Sequence, residues 1–191
     1  MAFLSRKKLE GIGFAKLGSN VLISDKASFH NPGKISIGNN VRIDDFCVIS
    51  AGEGGVELGD YIHIAVFSSL IGAGKIKLFD FVNISSRVSV YSSNDDYSGS
   101  GLTNPMVPDE FKNVRSAAVQ LKKHVIVGSG SVILPGVTLH EGAAVGALSL
   151  ISKDCEEYKV YSGVPAMVVK PRRKDLKVLE LELLNKHLGP E

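Results

Sequence analysis

Two adjacent carboxylates, Asp95 and Asp96, sit in the polar run "VSVYSSNDDYSG", and a third acid, Glu110, follows further along the same segment. Free carboxylates ionise at about 4, so at neutral pH they are poor bases toward an alcohol. They can still orient an amine and receive the proton it sheds on attack. Acidic pairs also cap turns through their own backbone. The pair therefore reads either as a reactive carboxylate whose neighbour is an alternative or a loop-ordering partner, or as turn caps alone. No histidine occurs between His63 and His124, so this segment supplies no imidazole base.

Other reactive residue types are scattered. His30, His63, His124, His140 and His187 have none of the close spacing that three zinc-binding imidazoles usually show, and no metal site is expected. Cys47 and Cys155 form no metal or redox spacing, and Cys47 falls within an apolar run that places it in a core. A net charge of +2 is too small to argue for a nucleic-acid surface. No apolar stretch approaches the ~18 residues of a membrane span. The opening "MAFLSRKKLEGIGF" carries charge too early for a secretory signal. The expectation is a cytoplasmic protein.

The elements that position these groups follow from a period of six. An aliphatic residue returns at Leu121, Val127, Ile133, Leu139, Val145 and Ile151. The same register appears upstream in Ile37, Ile43 and Ile49, in Leu58, Ile64 and Leu70, and in Leu78, Ile84 and Val90. Neither a helix, with period 3.6, nor a strand, with period 2, explains six alone. One short strand plus one corner does, and three such units close a triangular coil of a parallel β-helix. Val127 should then lie beneath Val145, and Ile133 beneath Ile151. Small residues such as Gly128, Gly146 and Ser85 are expected where the chain turns sharply. The breaks at "AGEGG" and "GAGK" read as corner insertions.

The expected architecture is thus an all-β solenoid with three additions. Residues 1–20 form an N-terminal cap, residues 91–120 a long inserted loop within the 21–174 β-helix, and residues 175–191 a C-terminal helix. Leu176, Leu179 and Leu183 share one face of that helix, which is expected to cover the end of the solenoid. A long ordered loop in a compact repeat is more often functional than decorative.

The period, together with "VGALSLISKDCEEYKVYSGVPAMVVKPRR", resembles the hexapeptide-repeat acyltransferases. The match runs through Gly163-Val164-Pro165-Ala166 into Lys170, Arg172 and Arg173. The resemblance implies a left-handed parallel β-helix, a homotrimer with sites between subunits, and acetyl-CoA lying along the coils. Gly128, Ser129, Gly146 and Ala147 would admit the thin pantetheine arm. Lys153, Lys170 and Arg172, with Pro165 in the matching motif, would serve the cofactor. Against the family's loop, "VSVYSSNDDYSG" brings Asp95 to the place of a catalytic histidine. That departure favours an amine acceptor, and the run resembles sugar N-acetyltransferases acting on nucleotide-linked amino-dideoxy sugars (dTDP- or GDP-type) in surface polysaccharide and O-antigen synthesis. His63, Ser85 and Tyr91 are the expected substrate contacts. No metal is required. The alternatives are an O-acetyltransferase using His63 or His124 as base, a zinc hydratase, and a non-enzymatic scaffold.

Overall fold

A computed structural model describes residues 1–188, with side chains described through residue 186. The hexads build three parallel sheets that form the sides of a left-handed β-helix of about seven turns. The first sheet begins at Lys16–Leu17, the second at Val21–Ile23 and the third at Ser28–His30. The chain visits the three in rotation. Val127 pairs with Val145 and Ile133 with Ile151, so the C-terminal coils keep the expected spacing. Toward the N-terminus the spacing lengthens: Ile43 pairs with Ile64, and Ile64 with Ile84. The extra residues fall at "AGEGG" and "GAGK", between the third sheet and the first, so strand register survives the insertions.

Every hexad aliphatic points inward. Ile37, Ile43, Ile49, Ile64, Ile84, Val127 and Ile133 are all fully buried, and Cys47 lies among them. Each such burial contributes on the order of 1.5–3 kcal/mol relative to exposure. The solenoid is held chiefly by this stacked core.

The corners correct one expectation. Gly128, Gly146 and Ser85 do not occupy the left-handed turn positions. Those fall two residues later, at Phe46, Phe67, Arg87, Gly130 and Leu148, with φ between 56° and 72°. Non-glycine residues tolerate this region at some cost, and neighbours in the column stack against each other. Phe46 lies on Phe67 with ring centroids 5.0 Å apart. A second corner repeats the pattern, with Tyr61 on Phe81 at 4.8 Å and Phe81 on His124 at 5.1 Å.

The long loop leaves after Tyr91 and is pinched at its base, where Asn94 pairs with Arg115 in an antiparallel bridge. It returns to the first sheet at Val119–Leu121. The N-terminal helix Arg6–Ile12 buries Leu9 against the core.

The C-terminal helix, Leu176–Leu188, lies along the side of the solenoid and not across its end. Leu176, Leu179 and Leu183 border a hollow over Phe81 and His124. Glu180 anchors the helix by accepting from Lys123 and from His124 Nε2, the latter at 2.7 Å. Burial alone would raise the Glu180 pKa, but these two bonds outweigh it and hold the carboxyl below its usual range. A depressed carboxylate stabilises the folded form above its unfolded pKa and loses that contribution as pH falls through the folded value. Hydrogen exchange should therefore show the helix loosening below about pH 4. Glu180→Gln should show the same loosening at neutral pH. Protection unchanged by either would show that the apolar contacts alone hold it.

Candidate active site

Two groups of residues carry chemistry, and the fold places them on different sides of one chain. The first surrounds the loop. Its pinched base and the ends of third-sheet strands enclose a cleft of about 460 Å³, lined by Asp95, Asp96, Tyr97, Arg115, Pro135 and Ser152. The two adjacent acids have separate roles there. Asp96 accepts from Ser98 N and Oγ at 2.9 and 2.7 Å, from Ser100 Oγ at 2.8 Å and from Gly101 N at 2.8 Å. The Ser98 bonds, followed by those of Ser100 and Gly101, push its carboxyl far below the usual range. An acid so engaged orders the loop. Asp95 is exposed and makes no hydrogen bond or ion pair among the described residues. It is the carboxylate available to a ligand.

The second group runs along the outer edge of the second sheet. Ser85, Gly128 and Gly146 follow successive strands, and their N–H groups donate to Val127 O, Val145 O and Tyr161 O at 2.8–2.9 Å. The next residue in each coil, Ser86, Ser129 and Ala147, has an N–H with no partner among the described residues. Backbone donors rarely stay unpaired without a purpose or a solvent partner. This row therefore offers stacked donors to amide carbonyls or to a developing oxyanion. The Gly128 N–H itself is spent on the next coil and is not one of these donors. The glycine has a different reason. A Cβ on Gly128 would stand 2.5 Å from Ala147 N, and one on Gly146 would stand 2.9 Å from Ser162 Oγ. These small residues let coils stack while leaving a smooth outer wall.

The basic residues divide in the same way. Lys153 and Lys170 are exposed and form no ion pair among the described residues. Arg172 is turned inward: its Nη1 donates to the carbonyls of His124 at 2.9 Å and Gly142 at 3.0 Å. It clamps the coils beneath the C-terminal helix. Arg173 pairs with Asp175. Pro165 lies in the turn between strands Lys159–Gly163 and Ala166–Pro171. Cys155 is buried, and burial pushes its thiol up to about 12, so it offers no thiolate.

Glu110 lies in the exposed turn Asp109–Phe111, and Tyr91 is half-buried on the third sheet; neither lines the cleft. His63 points outward between buried Ile62 and Ile64, as alternation requires. Three residues escaped the sequence reading. Arg115 brings the cleft's guanidinium, and Asp44 and Asn83 flank His63 at 2.9 and 3.2 Å. The lone arginine of the loop was a usable signal for Arg115. Asp44 and Asn83 become neighbours of His63 only once the coil length is known to be about twenty residues.

No protein-family profile matches the chain. It is 58% identical over 182 residues to the dTDP-4-amino-4,6-dideoxy-D-glucose acyltransferase of Escherichia coli, covering 95% of this chain and 94% of that enzyme. Among solved structures it resembles AntD, an N-acyltransferase from Bacillus cereus, at 48% identity and a TM-score of 0.93, covering 96% of this chain and 97% of that one. That structure is a variant of AntD in complex with dTDP-4-amino-4,6-dideoxyglucose and coenzyme A. Another AntD structure, 46% identical with a TM-score of 0.92 over 98% of each chain, holds dTDP and 3-hydroxybutyryl-CoA. The AntD variants replace a serine and an aspartate that are ten positions apart.

Proposed function

This chain belongs to the hexapeptide-repeat acyltransferases, among the N-acyltransferases of nucleotide-linked amino sugars, and from that premise we propose that it transfers an acyl group from acyl-CoA to the amine of a dTDP-linked 4-amino-4,6-dideoxyglucose. The observation that carries the reading is the free Asp95 carboxylate in a cleft whose lining contains no imidazole. Ser85 and Asp95 keep the ten-position spacing of the two residues replaced in AntD, as do Ser86 and Asp96. Because Asp96 is consumed by its loop, the first pair is the one left free to act.

The sugar amine attacks the thioester carbonyl and forms the C–N bond. The unpaired N–H groups of Ser129 and Ala147 face the pantetheine and the oxyanion that forms. The C–S bond then breaks, and the CoA thiolate leaves and is protonated. Asp95 takes the proton shed by the nitrogen and passes it to solvent. Lys153 and Lys170 balance the cofactor's phosphates, and Arg115 meets those of the nucleotide.

The acyl group we assign is acetyl, and the product serves surface polysaccharide synthesis in the cytoplasm. Asp95 borders the far end of the third sheet, whereas Ser85, Ser129 and Ala147 follow second-sheet strands. One site containing both groups needs two chains, which a homotrimer with clefts between neighbours supplies. The exposed Phe46, Phe67 and Leu148 on the intervening corner suit its contact. Product analysis tests the assignment. Incubation with acetyl-CoA and the dTDP-linked amino sugar should give a mass gain of one acetyl group that survives mild alkali, as an amide does. An alkali-labile ester would make the protein an O-acetyltransferase.

A further inference from the structure

Arg42, His63 and Asn83 stand in one column on the outer face of the second sheet, each opposite the next in register. Arg42 Nε donates to Asp44 Oδ1 at 2.7 Å, and His63 Nε2 lies 2.9 Å from Asp44 Oδ2. The Asp44 side chain is 7% exposed. Burial alone would raise its pKa, but the bonds from Arg42 and His63 hold the carboxyl below its usual range. An ionised carboxylate can only accept, so His63 Nε2 carries a hydrogen whether the ring is charged or neutral.

The variable atom is Nδ1, 3.2 Å from Asn83 Oδ1. With the ring doubly protonated, Nδ1–H donates to that oxygen and Asn83 turns its NH2 outward. With the ring neutral, Nδ1 is a lone pair. The amide then turns over, its NH2 donates to Nδ1, and its carbonyl faces out. One proton on His63 thus decides whether the column presents a donor or an acceptor. Apart from this contact, the Asn83 side chain has no partner among the described residues.

Asn83 lies two residues before Ser85, on the coil that contributes Ser86 to the row of unpaired N–H groups; the row runs on through Ser129 and Ala147 in one direction and through Val66 and Asp45 in the other. A thioester held by the Ser86, Ser129 and Ala147 stretch of that row passes beside it. We propose that Asn83 presents its side-chain carbonyl to an N–H of the attacking amine, and that His63 is the positioning residue that turns it. This rests on the acyl-transfer reading above. An amine attacks through its lone pair, so an acceptor on one N–H aims that lone pair at the thioester carbon. A donor in the same place would compete for it. The charged groups around the ring are Asp44 and Arg42, the latter also over the Phe3 ring, and the Lys26–Asp45 pair in the adjoining corner. The next coil contributes only neutral Asn83, followed by Ile126.

The test is the ratio of kcat/KM for wild type over Asn83→Ala, measured from about pH 5 to 9. Taking the ratio cancels the titration of the substrate amine. It should rise about tenfold from the acid to the alkaline end of that range, and it should be flat in a His63→Phe background. His63→Gln, whose amide does not titrate, should also flatten it. An acyl-CoA thermal shift checks that each variant is folded. A flat ratio in the native background, or full activity in Asn83→Ala, overturns this proposal and leaves acyl transfer standing. Wild-type protein that releases no CoA with any amino sugar overturns the acyl-transfer reading, and this inference with it.

Discussion

Asp95→Asn is expected to lower kcat/KM toward the amino sugar by about 100-fold while leaving acyl-CoA binding intact. Asparagine keeps the shape and one acceptor oxygen, so the loop and the cleft should persist. What is lost is a group able to take the amine's proton. Asp95 has no structural partner to forfeit among the described residues, so the effect should appear in turnover and not in melting temperature. Asp96→Asn gives the opposite pattern. Its carboxylate gathers Ser98, Ser100 and Gly101, and its loss should loosen the loop and raise KM as the cleft loses order. Steady-state kinetics with thermal melts on both variants separates the roles. If Asp96→Asn lost turnover and Asp95→Asn did not, the assignment would have to be reversed.

Gly128→Val should be damaging in a different way. The new Cβ would stand 2.5 Å from Ala147 N, a backbone atom that can move only if a coil moves. Overpacking of this kind costs about 1–3 kcal/mol, visible in denaturant unfolding. The branched side chain also presses on the unpaired N–H of Ala147 itself. Acyl-CoA affinity, measured by calorimetry on folded protein, should fall by at least about tenfold. Destabilisation with unchanged affinity would mean that the cofactor lies elsewhere and that Gly128 serves stacking alone.

The solenoid was legible because its signal is redundant. The same inward aliphatic recurs at Ile43, Ile64 and Ile84 and at Val127 and Val145, so an insertion between coils cannot hide it. The corners were less legible. A glycine suggests a left-handed turn, yet here Phe46, Phe67 and Arg87 occupy those positions, and their stacking depends on coils about twenty residues apart. The C-terminal helix showed its apolar face, but its partner, the Phe81–His124 column, is distant in sequence.

The site divides along the same line. The family's loop singled out Asp95, and Asp96 stood beside it as an alternative or a loop-ordering partner. The folded loop engages Asp96 with Ser98, Ser100 and Gly101 and leaves Asp95 without a partner among the described residues. Arg172 read as one more cation in a basic tail, whereas the structure turns it onto two carbonyls. The unpaired N–H row has no sequence signature, because every residue but proline carries an N–H. Whether that donor is free depends on which carbonyl the next coil presents.

The most direct test of the central claim is CoA release, followed as free thiol, with acetyl-CoA and a panel of nucleotide-linked amino-dideoxy sugars beside their hydroxyl counterparts. Release is expected with the dTDP-linked 4-amino sugar and essentially none with its 4-hydroxy analogue. Equal release with the hydroxyl sugar would contradict it, because a lone carboxylate would then be activating an alcohol.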